Sequence, residues 1–390
     1  MTPKVAARSG ISPFHVMEVM RAAGQRAATG AEVLHLEVGQ PSTPAPRPVI
    51  AAAVEAIETT SLPYTDALGA SALRSRLTGW YLERYGIGVE ATRIAITTGA
   101  SGACLLAFLA CFDIGDRVGV LVPGYPCYRT ILSTLGIEAV PVRVDADTGW
   151  APTVASLDEL HARVPLDGLV VASPSNPTGT VLPADQLDEL TTWCDERDMR
   201  LIVDEIYHGI TFGAPAPTAA GRSTDVVVIN SFSKYFSMPG WRLGWLVLPP
   251  ELVEPVERLA QNLTVAPPSL AQVAAVEALD CTDQLDAHVE RYARNRSVVI
   301  DGLTRAGLDE VAPSGGAFYT WVAVSRLTDD SQDLAALWLD ELGVAVTPGI
   351  DFDPEQGHRW LRISFAGATQ DITEAMERIV AWSRARSTNP

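Results

Sequence analysis

Lysine is almost missing from this chain. Among 29 basic residues only Lys4 and Lys234 are lysines, where average usage in 390 residues would supply about twenty. Positive charge is scarce as well: 47 acidic residues leave a formal charge of −18 and a pI near 4.7. Such a chain repels phosphate backbones and anionic lipid, which argues against nucleic acid and membrane surfaces as partners. No apolar run reaches the roughly 18–20 residues that span a bilayer; the stretch over residues 103–114 is broken at Asp113. The first residues, MTPKVAARSG, have no basic region followed by an apolar segment, so no secretory signal is expected. Cys104, Cys111, Cys127, Cys194 and Cys281 form no C-x-x-C pair, and an odd, scattered set suits a reducing, cytoplasmic setting. The six histidines show no HExxH spacing, so no metal site is expected. Neither a G-x-G-x-x-G fingerprint nor a GxxxxGK[ST] loop is present, which removes the usual support for dinucleotide or nucleoside-triphosphate binding.

What is present describes a large folded core. Apolar residues make up 47% of the chain and charged residues 19%, with a mean hydropathy of +0.13. That composition excludes disorder, and the length suggests two or three domains. The first fifty residues read as loop, with prolines at 44, 46 and 48. Helical periodicity starts near Pro48 and returns in ASALRSRLTGWYLERYG, closed by Gly86. Short β-rich runs then follow at 93–97, 117–122, 138–144, 168–172, 200–204, 225–230 and 243–248. Helix-length segments separate them, one of which sets Leu187, Leu190 and Trp193 on a single face. Val/Ile/Leu-rich strands alternating with helices predict an α/β fold whose large, mostly parallel sheet is covered by helices on both faces. Beyond residue 283 a long polar helix leads into GGAFYTWVAV, another helix near 333–342 and the strand WLRISFA, the order of a smaller α+β domain. The expected division is a large domain at 47–283, and a small one made from 1–46, with an amino-terminal arm, and 284–390.

Ligands of open α/β sheets sit beyond the carboxyl ends of the strands, and polar clusters fall at those ends here. The first run enters TTGASGA and an apolar helix, where small residues let backbone N–H groups approach an anion. Others end in SPSNPTG, in DEIY and in SFSK, with Arg242 eight residues beyond the lysine. Each cluster alone has an ordinary reading as a turn or a helix cap. Together they suit an aldehyde cofactor with a ring and a phosphate. Lys234 is a primary amine able to attack a carbonyl, which arginine cannot do. Ser231, Ser233, Arg242 and the Ala100–Ser101 turn can hold a phosphate. Asp204 can pair with a ring nitrogen, and Asn176 and Tyr207 can bond a phenolic oxygen. Pyridoxal 5'-phosphate demands that combination, because its protonated pyridine acts as an electron sink.

The ordered motifs SPSNPTG, VDEIY, SFSKYFSMPGWRLG and LRISFAG resemble those of the class I/II aminotransferases, the aspartate aminotransferase-like enzymes of fold type I. The likeness runs from LEVGQP to LRISFAG. It implies an internal aldimine at Lys234, with Asp204 at the pyridine nitrogen, and Asn176 and Tyr207 at the ring hydroxyl. Ser231, Ser233, Arg242, Ala100 and Ser101 would form the phosphate cup, and Tyr125 would stack on the ring. Arg362 would clamp the substrate α-carboxylate, with Gly39 and Asn176 beside the bound substrate. Tyr64, in YTDALG, matches a tyrosine that serves the neighbouring subunit, so the resemblance implies a homodimer with shared active sites. The implied activity is transfer of an L-amino acid's amino group to a 2-oxo acid. A lysine that one acidic-substrate subgroup carries after the phosphate-turn glycines aligns with Ser101, so neutral or aromatic donors are expected. A C–S β-lyase or a cyclase of secondary metabolism is the alternative on the same residues. A cofactor-binding regulator is disfavoured, since only some forty residues precede LEVGQP.

Overall fold

Seven Val-, Ile- and Leu-rich strands form one sheet in the computed structural model, which describes residues 3–387. Their order across the sheet is Ile94–Thr97, Gly244–Val247, Val227–Ser231, Arg200–Asp204, Gly168–Ala172, Arg117–Val122 and Glu138–Arg143. Every pairing is parallel except the two made by Gly244–Val247, which runs against both neighbours. Three of the strands have the bounds expected from sequence; 225–230 moves to Val227–Ser231. Alternation along each strand feeds two separate cores. Ile202 points to one face with Val170 and Ile229, under Phe108 and Leu132 of the helices Gly99–Cys111 and Pro126–Leu135. Leu201 and Val203 point to the other, against Leu187, Leu190 and Trp193 of the helix Ala184–Asp195. Helices therefore cover both faces, as a largely parallel sheet requires.

Three further strands, Thr347–Pro348, Trp360–Ser364 and Tyr319–Ala323, form a small antiparallel sheet. The helices Thr282–Arg305 and Thr369–Ser387 pack against each other beside it. Leu34–His35 pairs with Val344–Ala345, tying the start of the chain to its last quarter. Among the described residues no helix is long and apolar enough to cross a membrane.

The reading of the first fifty residues as loop is corrected. A 14-residue helix, His15–Ala28, lies there, with only Val16 and Ala23 buried. Its start carries an acidic first-turn residue, Glu18, but no local cap: Phe14 occupies the N-cap position and offers no side-chain acceptor. The capping group comes instead from Asp351, whose carboxylate oxygens accept the amides of His15 and Val16 at 2.9 Å each.

Candidate active site

A cavity of about 690 Å³ opens at the carboxyl ends of the central strands. Gly39, Ala100, Ser101, Tyr125, Asn176, Asp204, Tyr207, Ser233, Lys234, Arg242 and Arg362 all line it. Residues up to 323 positions apart in sequence thus face one space. Two expected residues do not reach it. Ser231 lies behind Ser233, its hydroxyl 3.0 Å from both Ser233 Oγ and the Leu243 carbonyl, and its oxygen accepts the Ser233 amide. Tyr64 is on the surface, 84% exposed.

Lys234 Nζ donates to the Gly39 carbonyl at 2.5 Å. Desolvation at the cavity wall, with Arg362 and Arg242 adding repulsion against the pull of Asp204, lowers its amine to about 8. A lysine so placed is partly neutral near physiological pH and can act as nucleophile or base. Asp204 ends the strand Arg200–Asp204 and is 2% exposed. Burial pushes its carboxyl up to about 6, although the Tyr128 hydroxyl, the Ile206 amide and Lys234 pull it down. Tyr128 donates to Oδ2 at 2.5 Å and Ile206 to Oδ1 at 2.9 Å. A desolvated carboxylate with few donors needs a cation, which a protonated ring nitrogen would be.

The opposite wall favours an anion. The helix Gly99–Cys111 begins at Thr98 without any side-chain cap, so its first amides at Ala100 and Ser101 lack an intrahelical partner at the positive end of the helix. Ser233 and Arg242 also line the cavity. The close approach needs glycine: Gly99 has φ +69°, and a Cβ there would lie 2.7 Å from Arg242 Nη2. Arg242 itself holds φ +52° and donates to the Pro239 carbonyl, which aims its guanidinium along this wall.

At the third side, buried Arg362 donates to Asn176 Oδ1 (3.2 Å), the Glu37 carbonyl (2.7 Å) and Thr347 Oγ1 (3.2 Å). Its Nε–H has no partner, and the rings of Tyr319 and Phe352 flank the guanidinium at 4.4 and 4.8 Å. An oriented guanidinium with a spare donor suits a carboxylate. The residues present therefore fit a ring with a basic nitrogen, a phosphate and an aldehyde, next to an amino acid carboxylate.

Several residues that line or buttress the cavity lie outside the set expected from sequence. Tyr128 follows Tyr125 by three positions in PGYPCY, and this i, i+3 spacing at the start of a helix sets the two rings edge to face at 5.4 Å. Tyr319 bonds the Tyr207 hydroxyl at 2.9 Å and presses on Gly39, where a Cβ would come within 2.1 Å of its oxygen. Phe14, Val16, Met17 and Met20 form an apolar rim from the first helix and its cap.

Comparison with known proteins agrees with this geometry. The family description "Aminotransferase class I and II" matches residues 31–379. A valine–pyruvate aminotransferase of Mycobacterium tuberculosis is 49% identical, over 98% of this chain and 99% of its own. The crystal structure of an aminotransferase from the same organism superposes with a TM-score of 0.95 at 48% identity, covering 98% of this chain and all of that one. The aspartate aminotransferase of Thermus thermophilus with maleate gives 0.91 at 28% identity, over 97% of this chain and 100% of its own, so the architecture is the aspartate aminotransferase fold. The chain belongs to the class I and II aminotransferases, enzymes that use pyridoxal phosphate.

Proposed function

We propose that this enzyme moves the amino group of a neutral L-amino acid, aliphatic or aromatic, to a 2-oxo acid. The observation that carries the reading is the convergence, in one cavity, of the Lys234 amine, the Asp204 carboxylate, the helix start at Ala100–Ser101 and the Arg362 guanidinium. When bound, the cofactor supplies a carbonyl that condenses with amines and a ring that withdraws electrons from the substrate Cα–H bond. Asp204 would keep the ring nitrogen protonated. Asn176 and Tyr207 would bond the ring hydroxyl, and Tyr125 would cover the ring. Ala100, Ser101, Ser233 and Arg242 would hold the phosphate, with Ser231 orienting Ser233. Arg362 would fix the α-carboxylate beside Gly39, leaving Cα within reach of Lys234 Nζ. Lys234 Nζ would accept the proton released from the substrate Cα and, once protonated, would donate it to the carbon of the cofactor's former carbonyl.

The neutral side chain is supported by the rim of Phe14, Val16, Met17, Met20 and Ile131 and by Ser101, which leaves no ammonium for a distal carboxylate. The 49% identical relative is named for valine. The cofactor would belong to residues 47–283, with 1–46 and 284–390 closing over it. A homodimer completes the proposal. Ile50, Val54 and Ile57 lie exposed along one face of the helix Arg47–Thr59, beside exposed Val273 on the helix Ser269–Ala278 that packs against it. An apolar stripe at i, i+4, i+7 facing water is the signature of a covered surface, and Tyr64 follows a few residues after that helix.

Amino-donor profiling tests the reading. Purified protein given each L-amino acid with pyruvate or 2-oxoglutarate, with products read by mass spectrometry, should favour valine, leucine or phenylalanine over aspartate and glutamate. Aspartate as the best donor would end the side-chain assignment, and no transamination with any donor would end the functional one.

A further inference from the structure

Asp351 sits outside the cavity yet joins two of its walls. It ends the turn Gly349–Asp351, which continues the strand Thr347–Pro348. That short segment frames the carboxylate clamp: Thr347 Oγ1 accepts from Arg362 Nη2, and the ring of Phe352 lies 4.8 Å from the Arg362 guanidinium carbon. The Asp351 side chain, 3% exposed, reaches the other way, with Oδ1 on the His15 amide and Oδ2 on the Val16 amide. Its own backbone carbonyl accepts from Arg129 Nη2, which follows Tyr128 on the helix Pro126–Leu135. Three elements thus meet at one residue: the clamp strand, the helix under the ring site and the helix that carries the apolar rim.

The rim helix is thinly held without that contact. Over His15–Ala28 only Val16 and Ala23 are buried, and Ala23 packs in a small cluster with Leu339 and Ala345. Phe14 cannot cap it. A carboxylate at its start satisfies two unpaired amides and complements the positive end of the helix. The side chains that depend on this placement are those that enter the cavity: Phe14, Val16, Met17 and Met20.

We propose that Asp351 is a positioning residue for donor selection, holding the apolar rim of the first helix at a fixed distance from the carboxylate clamp so that the site prefers extended aliphatic or aromatic side chains. The inference rests on the aminotransferase reading and adds to it the residue that sets side-chain preference. An α-carboxylate on Arg362 fixes one end of the donor; the rim meets the other end. A methyl side chain is too short to use the rim, so alanine serves as the internal control, whereas leucine uses it fully.

The test uses holoenzyme and single-turnover mixing with L-alanine or L-leucine, followed by the cofactor's absorbance, which needs no 2-oxo acid. Asp351→Ala should lower the apparent second-order constant for leucine at least tenfold, through weaker binding rather than a slower limiting rate, and that for alanine less than threefold. Asp351→Asn keeps the shape and one carbonyl acceptor, so it should restore part of the leucine preference; it also serves if Asp351→Ala folds poorly. Met20→Ala should weaken leucine more than alanine while leaving Asp351 in place. Independently of turnover, amide exchange over residues 15–28 should quicken at least tenfold in Asp351→Ala, with the helix Thr369–Ser387 unchanged. Equal losses for both donors, an unchanged leucine constant or unchanged exchange over 15–28 would each overturn the proposal. Wild-type protein that converts neither donor would instead overturn the aminotransferase reading beneath it.

Discussion

Removing one hydroxyl, in Tyr128→Phe, should move the acid limit of cofactor binding. Among the described residues the Asp204 carboxylate has two hydrogen-bond donors, Tyr128 on Oδ2 and the Ile206 amide on Oδ1. Both favour the ionised form, and burial opposes them strongly enough to hold the carboxyl at about 6. A hydrogen bond to a charged group contributes about 1.5–3 kcal/mol. At about 1.4 kcal/mol per pKa unit, losing it should raise Asp204 by roughly one to two units, past neutrality. Phenylalanine keeps the ring that packs edge to face with Tyr125, so the fold and the cavity wall remain. The sign is unambiguous: a raised carboxyl is ionised only at higher pH, so the variant loses its ring-nitrogen partner at pH 7 and regains it in mild alkali.

Pyridoxamine 5'-phosphate isolates this effect, because it carries the same ring and phosphate but no aldehyde for Lys234 to engage. Titrated into apoprotein between pH 5 and 9, it should bind wild-type protein with an acid limb near 6 or below, and Tyr128→Phe with the limb shifted up by one to two units. Affinities should converge toward pH 9. A limb displaced by less than 0.3 unit, or a loss of affinity constant across the whole range, would refute the electrostatic account and leave Tyr128 with a packing role only.

Other outcomes follow from the same geometry. Glu205, fully buried and raised to about 8 by desolvation despite its bonds to Thr218 and Ala219, contributes stability to the apoprotein at low pH that is lost as pH rises toward 8. His208, whose Nδ1 lies 3.4 Å from Glu205 Oε2, is depressed by burial to about 3 and contributes in the opposite sense below its unfolded value of about 6.5, so the two buried groups titrate as a pair. Between pH 6.5 and 8 Glu205 therefore dominates: wild-type apoprotein Tm should fall across that window while Glu205→Gln stays level, and parallel curves would reject the assignment. Arg362→Ala should cut kcat/KM for every donor alike, by roughly 30-fold to a few thousand-fold, the range for unpairing a buried charged contact of about 2–5 kcal/mol; a loss confined to one donor would show that Arg362 reads side chains instead. Mixing Tyr64→Phe chains with Lys234→Ala chains should produce dimers with one competent site of wild-type cofactor affinity. Affinity no better than that of the Tyr64→Phe homodimer would show that Tyr64 does not act across the interface.

The strands could be read from sequence because a parallel sheet buried on both faces demands uninterrupted Val, Ile and Leu, and that demand is local. Gly168–Ala172 and Arg200–Asp204 are buried almost throughout, so their bounds are visible without knowledge of their neighbours. Lys234 was conspicuous for a chemical reason: in a chain that otherwise uses arginine, a buried-site lysine marks a need for a neutral primary amine. What escaped was whatever depends on a distant partner. Tyr319 matters because it closes on Gly39 and Tyr207, residues 280 and 112 positions away in the chain, separations that no local period encodes.

The helix His15–Ala28 shows the limit most sharply. Its periodic residues, Val16, Val19, Met20 and Ala23, were present in the sequence, but a helix also needs its first amides satisfied, and the start signals that mark the beginning of a helix are side chains next to it. Here Phe14 fills the cap position and the acceptor arrives from residue 351. A helix stabilised from so far away is legible only once the second sheet has formed, because Asp351 is placed by the pairing of Thr347–Pro348 with Trp360–Ser364. The same dependence has a functional consequence. On the proposed assignment, the rim that would face the donor side chain is anchored to the strand beside Arg362, so the part of the site that would discriminate between donors is built on the part that would recognise all of them.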